Sequence, residues 1–355
     1  MLFIAVELLL LKREGYSGLK LALIEEIEAH IHTQAQVRLI NFLQEETAQS
    51  DIQLILTTHS PVLASKISLE SLVVCKNDNA FPMGPSYTEL ELGDYLFLER
   101  FLDSTKANLF FAEGVILVEG DAENLLIPTI AEIIDKPLSK YGVSLVNVGN
   151  TAFLRYSRVF KRKKQDLGVL DIPVSCITDN DIKPDVYKSV KIDAETRSNL
   201  EEVKSIAQRR KERKERIQGQ SVKLFISPEW TLEYDIALGY FQKELFKAVL
   251  YAEKIQNSDQ YGLTDKKIEE VDRVIDKKYE EWDEKAVSNE ERAFFIYHGL
   301  MITKQISKAI TAQCFAKILK EEEKEDVKSR IFSDEKLNYL VNAISYVTDG
   351  EGIDD

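Results

Sequence analysis

Apolar and polar positions along the first hundred residues alternate between strand-like and helix-like rhythms. Leu19 to Ile24, Ile52 to Thr57 and Ser71 to Cys75 are short apolar runs that predict strands, and Glu28 to Gln44 has the spacing of a helix. Two prolines and a glycine between Asn77 and Tyr87 predict a loop that leaves this first α/β unit. The opening run from Met1 to Leu11 is apolar but ends at Lys12, Arg13 and Glu14. It is shorter than the roughly 18 residues a membrane span needs, so it predicts a buried helix.

A second α/β unit follows. Gly114 to Val118, Val143 to Val148 and Ile172 to Thr178 are continuous apolar runs of the kind a parallel sheet buries on both faces. Ala122 to Ile134 and Ala152 to Lys164 carry helical spacing between them, as parallel crossovers require. Arg197 to Arg216 is dense in charge with little apolar face and predicts a solvated helix or arm. After Pro228 there is no further proline, and amphipathic patterns at Gln242 to Lys254, Lys266 to Lys285 and Glu290 to Lys320 predict a mainly helical remainder.

Composition narrows the function classes. Cys75, Cys176 and Cys314 lie far apart without CxxC spacing, so neither a zinc site nor a disulfide framework is suggested, and a cytoplasmic setting with no membrane partner is expected. A net charge of -14 argues against a protein that coats nucleic acid, whose affinity rests on Lys and Arg neutralising phosphates, though a local basic groove remains open.

Two constellations carry chemistry. In the first, the apolar run from Leu21 ends in Glu25 and Glu26, and a second run from Leu54 delivers Thr57, Thr58, His59 and Ser60 at its carboxyl end. Adjacent acids at such a strand end suit magnesium binding and the polarising of an attacking water, and an imidazole beside them suits γ-phosphate sensing. The same acids also suit a strand entering an acidic helix start. His30 and His32 lack the i,i+4 spacing of a helical zinc pair. No GxxxxGK[ST] run occurs, so the chain alone is not expected to be a competent ATPase.

In the second, Val115 to Val118 leads into Glu119, Gly120, Asp121 and Glu123, and Val174 to Thr178 leads into Asp179, Asn180 and Asp181. Each half is common alone. In this order, each after an apolar strand and with Val146 to Asn150 between them, they put four acids at two strand ends, a donor set for a hard cation such as Mg²⁺ or Mn²⁺. Arg155, Arg158, Lys161, Arg162, Lys163 and Lys164 lie on or just after the intervening helix, a candidate strip for DNA phosphates. Arg209 to Arg216 is a second basic block, but interleaved acids make it self-paired.

The first constellation resembles the C-terminal part of an ABC-type ATPase, with Glu28 to His32 similar to its D-loop. The second resembles a Toprim domain, a parallel sheet flanked by helices that is shared by topoisomerases, primases and a class of nucleases. Their succession resembles the OLD (overcoming lysogenization defect) family of endonucleases, which includes the nuclease subunit of Gabija anti-phage systems. The resemblance implies an ATPase part over 1–105, a Toprim core over 106–240 and a helical region completing it over 241–355. It makes Glu119 a metal ligand or base, Asp179 and Asp181 ligands and Glu123 a supporting acid. Trp230 to Glu233 resembles the segment that gives Thr231 and Glu233 to a second metal, and Lys308 to Gln313 the segment whose lysine stabilises transition-state charge, with Lys304 competing for that role. The activity implied is metal-dependent hydrolysis of DNA, regulated by ATP in a longer protein, in a homodimer or higher oligomer with a helicase-like partner subunit. Two alternatives stand beside it: a topoisomerase- or primase-like Toprim protein, though no tyrosine here sits in a convincing nucleophile motif, and a non-catalytic assembly or DNA-binding module.

Overall fold

The computed structural model describes residues 4, 10–12, 19–48, 50–149, 153–186, 212, 215–258 and 263–349. Most of the expected Met1 to Leu11 helix and most of the 197–216 arm lie outside them. The chain divides into two compact units, residues 1–112 with 162–170, and residues 113–161 with 171–355.

In the first unit, strands β1 (Lys20–Ile24) and β2 (Ile52–Leu56) pair in parallel, Lys20 opposite Ile52 through Ile24 opposite Leu56. Helix α1 (Thr33–Ala48) crosses between them and buries Leu39, Ile40 and Leu43. It begins later than the Glu28 start expected from the apolar spacing. Glu26 (φ 44°) and His30 (φ 61°) are left-handed, so the backbone turns there before it can wind. The Asn77 to Tyr87 loop also needs correction, because Val73–Lys76 (β3) and Asn79–Pro82 (β4) form an antiparallel hairpin. Asn77 and Asp78 both have positive φ, the conformation a two-residue hairpin turn demands and one that Asn and Asp tolerate.

The second unit is built on a four-stranded parallel sheet with the order β6-β5-β7-β8, comprising β5 (Gly114–Val118), β6 (Val143–Asn147), β7 (Val174–Thr178) and β8 (Val222–Ile226). β5 and β7, the two inner strands, are the most buried. β8 had no counterpart among the expected strands: its run is short and broken by Lys223. Helix α2 (Asp121–Ile133) follows β5, and α3 (Phe153–Val159) follows β6.

After β8 the chain is helical: α4 (Leu232–Leu238), α5 (Gln242–Gln256), α6 (Asp265–Glu284), α7 (Asn289–Phe294), α8 (Lys308–Glu321), α9 (Lys324–Ser333) and α10 (Asn338–Asp349). The single long helix expected over 290–320 is instead α7, a π-helical stretch Phe295–Ile302, and then α8. Gln305 is left-handed (φ 54°), and Ser307 restarts the helix by accepting the Ile310 N–H at 3.3 Å. These helices share one core with the sheet, in which Ile116, Val118 and Ile177 join Phe246, Phe315 and Ile344. α10 lies against β5, β7 and β8. It is pinned by Ser175, which donates to the Ala343 carbonyl at 2.7 Å, and by Gly114, where a Cβ would stand 2.8 Å from the Val347 carbonyl oxygen.

Candidate metal centre

Pairing Val118 with Ile177 in register brings the carboxyl ends of β5 and β7 side by side. Glu119 therefore emerges next to Thr178, whose hydroxyl donates to Glu119 Oε1 at 2.8 Å. The chain then turns at Gly120, the N-cap of α2, and Glu123 in the first helical turn folds back over it. A Cβ at position 120 would come within 3.0 Å of Glu123 Oε2, so glycine is what lets this carboxylate lie against the strand end. Glu119 and Glu123 thus do not share a helix face, as an i,i+4 pair would; a strand end and a helix start meet across a glycine.

Asp179 and Asp181 leave β7 in a loop tied to the one after β8. The Asn180 N–H donates to Ser227 Oγ at 2.9 Å, its amide to the carbonyls of Pro228 and Glu229 at 3.2 Å each, and the Asp181 N–H to the Trp230 carbonyl at 2.8 Å. This bracing puts Asp179 at the start of α4, where its Oδ1 accepts the Leu232 N–H at 2.9 Å. Thr231 caps α4 by accepting the Tyr234 N–H, and Glu233, 4% exposed, accepts from Lys308 Nζ at 2.9 Å.

All seven residues expected for the metal and transition-state roles, namely Glu119, Glu123, Asp179, Asp181, Thr231, Glu233 and Lys308, line one cavity of about 680 Å³. They come from four separate stretches of sequence. Lys304, the competing lysine, instead pairs with Glu253 at 2.7 Å and does not line that cavity.

Charge is crowded here. Among the described residues, the cavity wall carries six carboxylates, including Asp121, against the single ammonium of Lys308. Burial, then the charge of Glu233, pushes the Glu123 carboxyl above its ordinary range. Burial, reinforced by Glu233 and Glu123 and opposed by Lys308, pushes Asp179 up to about 8. Burial works against the charge on Lys308, yet Glu233, Tyr297 and Asp179 hold its pKa above the usual lysine value. Among the described residues no three His, Cys, Asp or Glu side chains converge closely enough to hold a metal ion. Three of the acids are drawn to separate partners: Glu119 to Thr178, Asp179 to a helix N–H, Glu233 to Lys308. In chemistry the set still fits a divalent cation, being oxygen-only, anionic in excess and held on rigid elements.

Four further residues act at this site that sequence spacing had not singled out. Thr178 orients Glu119, and Asn147 at the end of β6 donates to Asp121 Oδ1 at 2.8 Å. Asp235, fully buried, accepts the Trp230 N–H at 3.2 Å and so holds the segment before Thr231; burial pushes its carboxyl up to about 7. Tyr297, on the π-helical stretch, lines the cavity. Thr178 is the one a reader could have flagged, as the hydroxyl adjoining Asp179.

The basic strip does not stay together as a surface. Lys161 is 3% exposed and donates to the carbonyls of Arg216 and Gln218 at 3.1 and 2.9 Å. Arg162, 4% exposed, donates to the Pro82 carbonyl at 2.7 Å and lies over the Phe81 and Tyr87 rings. Both are internal props, unavailable to phosphates in this conformation. Lys163 donates to the Pro85 carbonyl at 2.7 Å but is exposed, as is Lys164, and both belong with Arg162 to the first unit. Arg155 and Arg158, half-buried, belong to the second.

In the first unit, the β1–β2 pairing brings Glu25, Glu26 and His59 to one sheet edge. Glu28 is the organising acid there, accepting the Thr58 hydroxyl at 2.7 Å and the His59 N–H at 2.6 Å. Burial opposes its ionisation, but these donors hold its pKa below the usual range.

A parallel sheet with acids at the carboxyl ends of its inner strands is the Toprim-type arrangement expected from the sequence. Residues 110–181 match the family model described as "Overcoming lysogenization defect protein-like, TOPRIM domain", and residues 1–65 match an AAA-domain model. The chain therefore carries an AAA-type segment followed by an OLD-like TOPRIM domain. It is similar to Endonuclease GajA of Bacillus cereus (strain VD045), 27% identical over 174 residues, covering 49% of this chain and 28% of that protein. It is also similar to the OLD nuclease of Thermus scotoductus, 25% identical over 227 residues, covering 61% of this chain and 40% of that one. The matches thus span less than half the length of these relatives. Among solved structures, the C-terminal region of the Xanthomonas campestris pv. campestris OLD protein is 23% identical, covering 68% of this chain and 95% of that one, with a TM-score of 0.36. No helix among the described residues is long and apolar enough to cross a membrane.

Proposed function

We propose that the second unit is a divalent-metal-dependent endonuclease that hydrolyses phosphodiester bonds in DNA. The observation that carries this reading is the meeting of Glu119, Glu123, Asp179, Asp181, Thr231, Glu233 and Lys308 around one cavity. The first six would hold Mg²⁺ or Mn²⁺. Bound divalent ions supply the concentrated positive charge that a phosphodiester needs before water can attack it.

The chain's own residues do the rest. Glu119, fixed by Thr178, sits where a base can take a proton from the attacking water. Asp179 is oriented by the Leu232 N–H, and the crowding with Glu233 and Glu123 that raises its pKa to about 8 without a cation is what a bound cation would relieve. Lys308, held by Glu233, presents a fixed ammonium to the charge that builds on the phosphate. In the first unit, Glu25, Glu26 and His59 form part of a nucleotide site, through which ATP would regulate the nuclease in a longer protein. The similarity to proteins named Endonuclease GajA and OLD nuclease supports a nuclease, and the family resemblance of the motifs extends the reading to anti-phage defence, an assembly of several copies and a helicase-like partner.

The test is incubation of the chain with supercoiled plasmid and Mg²⁺ or Mn²⁺, beside Glu119→Ala and Asp179→Ala. Nicking that needs the metal and that both substitutions abolish supports the proposal. Nicking that survives both places the chemistry elsewhere, and none with any metal sinks the reading for this chain.

A further inference from the structure

Lys308 is the first residue of α8, so the place from which it reaches the cavity is set by the turn that leads into that helix. That turn, Thr303 to Ser307, links the π-helical stretch to α8 and contains the left-handed Gln305 (φ 54°). A residue other than glycine keeps such a conformation only where its surroundings fix it. The N–H groups of Lys304, Gln305 and Ile306 donate back to the carbonyls of Leu300, Ile302 and Met301 at 2.9, 3.2 and 2.8 Å. The Gln305 carbonyl and the Ser307 N–H are taken instead by one side chain of α5.

Gln256 Nε2 donates to the Gln305 carbonyl at 3.1 Å, and Gln256 Oε1 accepts the Ser307 N–H at 2.9 Å. One planar amide thus grips the backbone on both sides of Ile306, which takes a donor and an acceptor side by side. Its anchor is firm, because Gln256 closes α5, whose Leu245, Phe246, Val249 and Ala252 are buried in the core of the second unit. Ser307, beyond this grip, caps α8 through its hydroxyl and lines the cavity beside Lys308. A second link joins the same two segments, the ion pair of Lys304 and Glu253, but it ends on a side chain and leaves the backbone of the turn untouched.

We propose that Gln256 is a positioning residue for the reaction: by holding the backbone of Gln305 and Ser307 it sets where α8 begins, and so where Lys308 presents its ammonium. Gln256 does not line the cavity and acts only through Lys308. The inference rests on the reading of the second unit as a metal-dependent nuclease in which Lys308 stabilises charge on the phosphate.

The test uses the whole chain with plasmid and saturating Mn²⁺. Gln256→Met keeps the length of the side chain and removes both hydrogen bonds, while Gln256→Glu keeps the acceptor and loses the donor. Gln256 is exposed, so neither variant disturbs the core. Each is made in the wild-type and the Lys308→Met backgrounds, with folding followed by circular dichroism and urea midpoint in EDTA. Gln256→Met is expected to fold and to nick about tenfold more slowly at saturating DNA, less than the roughly 10²-fold that a misplacement of about 1 Å can cost. The DNA concentration giving half the maximal rate should not change, because the interaction lost belongs to the transition state. Gln256→Glu should also be slowed, since its carboxylate meets the Gln305 carbonyl with no proton between them. In the Lys308→Met background neither variant should slow nicking further, while each lowers the urea midpoint by the same amount as in the wild type; a role in stability alone would act alike on rate in both backgrounds. Wild-type rates in either variant, or equal slowing with and without Lys308, overturn the inference and leave the nuclease reading standing. Absence of metal-dependent nicking by the wild-type chain overturns that reading, and the inference with it.

Discussion

Replacing Lys308 with methionine tests both halves of the argument about the cavity. Its partner Glu233 has a side chain only 5% exposed, and the lysine side chain is 42% exposed. Removing one member of a fully buried pair costs about 3–5 kcal/mol because a charge is left uncompensated, whereas a surface pair contributes about 0–1 kcal/mol. With one partner buried and the other near half exposed, the expected cost lies between, about 1–2 kcal/mol. Lysine in the first turn of α8 also opposes the helix dipole, and its loss returns about 0.3–1 kcal/mol. The net effect is a destabilisation of about 1 kcal/mol, read as a lower urea midpoint in EDTA. With Mg²⁺ present the deficit should shrink, because Glu233 then has another cation to face. The effect on turnover is larger: losing one fixed charge that acts on the transition state typically costs about 10²–10³-fold. Lys304→Met serves as the comparison. Its pair with Glu253 is half exposed, so it should cost less than about 0.5 kcal/mol and leave nicking unchanged. Equal loss of nicking in the two variants, or none in Lys308→Met, would refute the reasoning.

Other expectations follow from the same geometry. Asp179 has a folded-state pKa pushed up to about 8, above its unfolded value, so its contribution to the stability of the metal-free fold is fully present below about pH 4 and is lost as pH rises towards 8. Asp179→Asn, which keeps an oxygen for the Leu232 N–H, should flatten that slope and raise stability at pH 8 by a few kcal/mol, about 1.4 kcal/mol for each pKa unit removed, in melts run with EDTA; an unchanged pH profile would contradict it. Thr178→Val should leave the melting temperature nearly unchanged while slowing nicking at least tenfold, because only the orientation of Glu119 is lost; wild-type rates would show the hydrogen bond to be idle. Lys161→Ala should destabilise the fold by about 2 kcal/mol through two carbonyls that lose a buried charged donor, with no change in the salt dependence of DNA binding; a shallower salt slope would mean that Lys161 reaches phosphate after all.

What could be read from the sequence, and what could not, divides along a physical line. β5 and β7 are buried on both faces, so their identity is written in unbroken apolar runs, and each acid pair follows directly from its strand end. The chemistry of the cavity was legible because it sits where regular structure stops. β8 was not, since its short run includes Lys223, whose ammonium lies over the Tyr346 ring, 4.6 Å from the centroid, rather than out in solvent. The same blindness explains Lys161 and Arg162: a run of basic letters states charge but not direction, and only the folded chain sets two of them inward onto carbonyls. The break before α8 had a local sign in Ser307 ahead of an apolar run, but the π-helical winding that precedes it had none, because Phe294 and Tyr297 pack there against Trp230, which comes from a distant segment. Acids that bind metal announce themselves by type. The residues that hold acids in place, Thr178 and Asn147, are ordinary in type and become distinctive only by position, so a sequence motif identifies the donors of such a centre while register and packing decide whether they can work together.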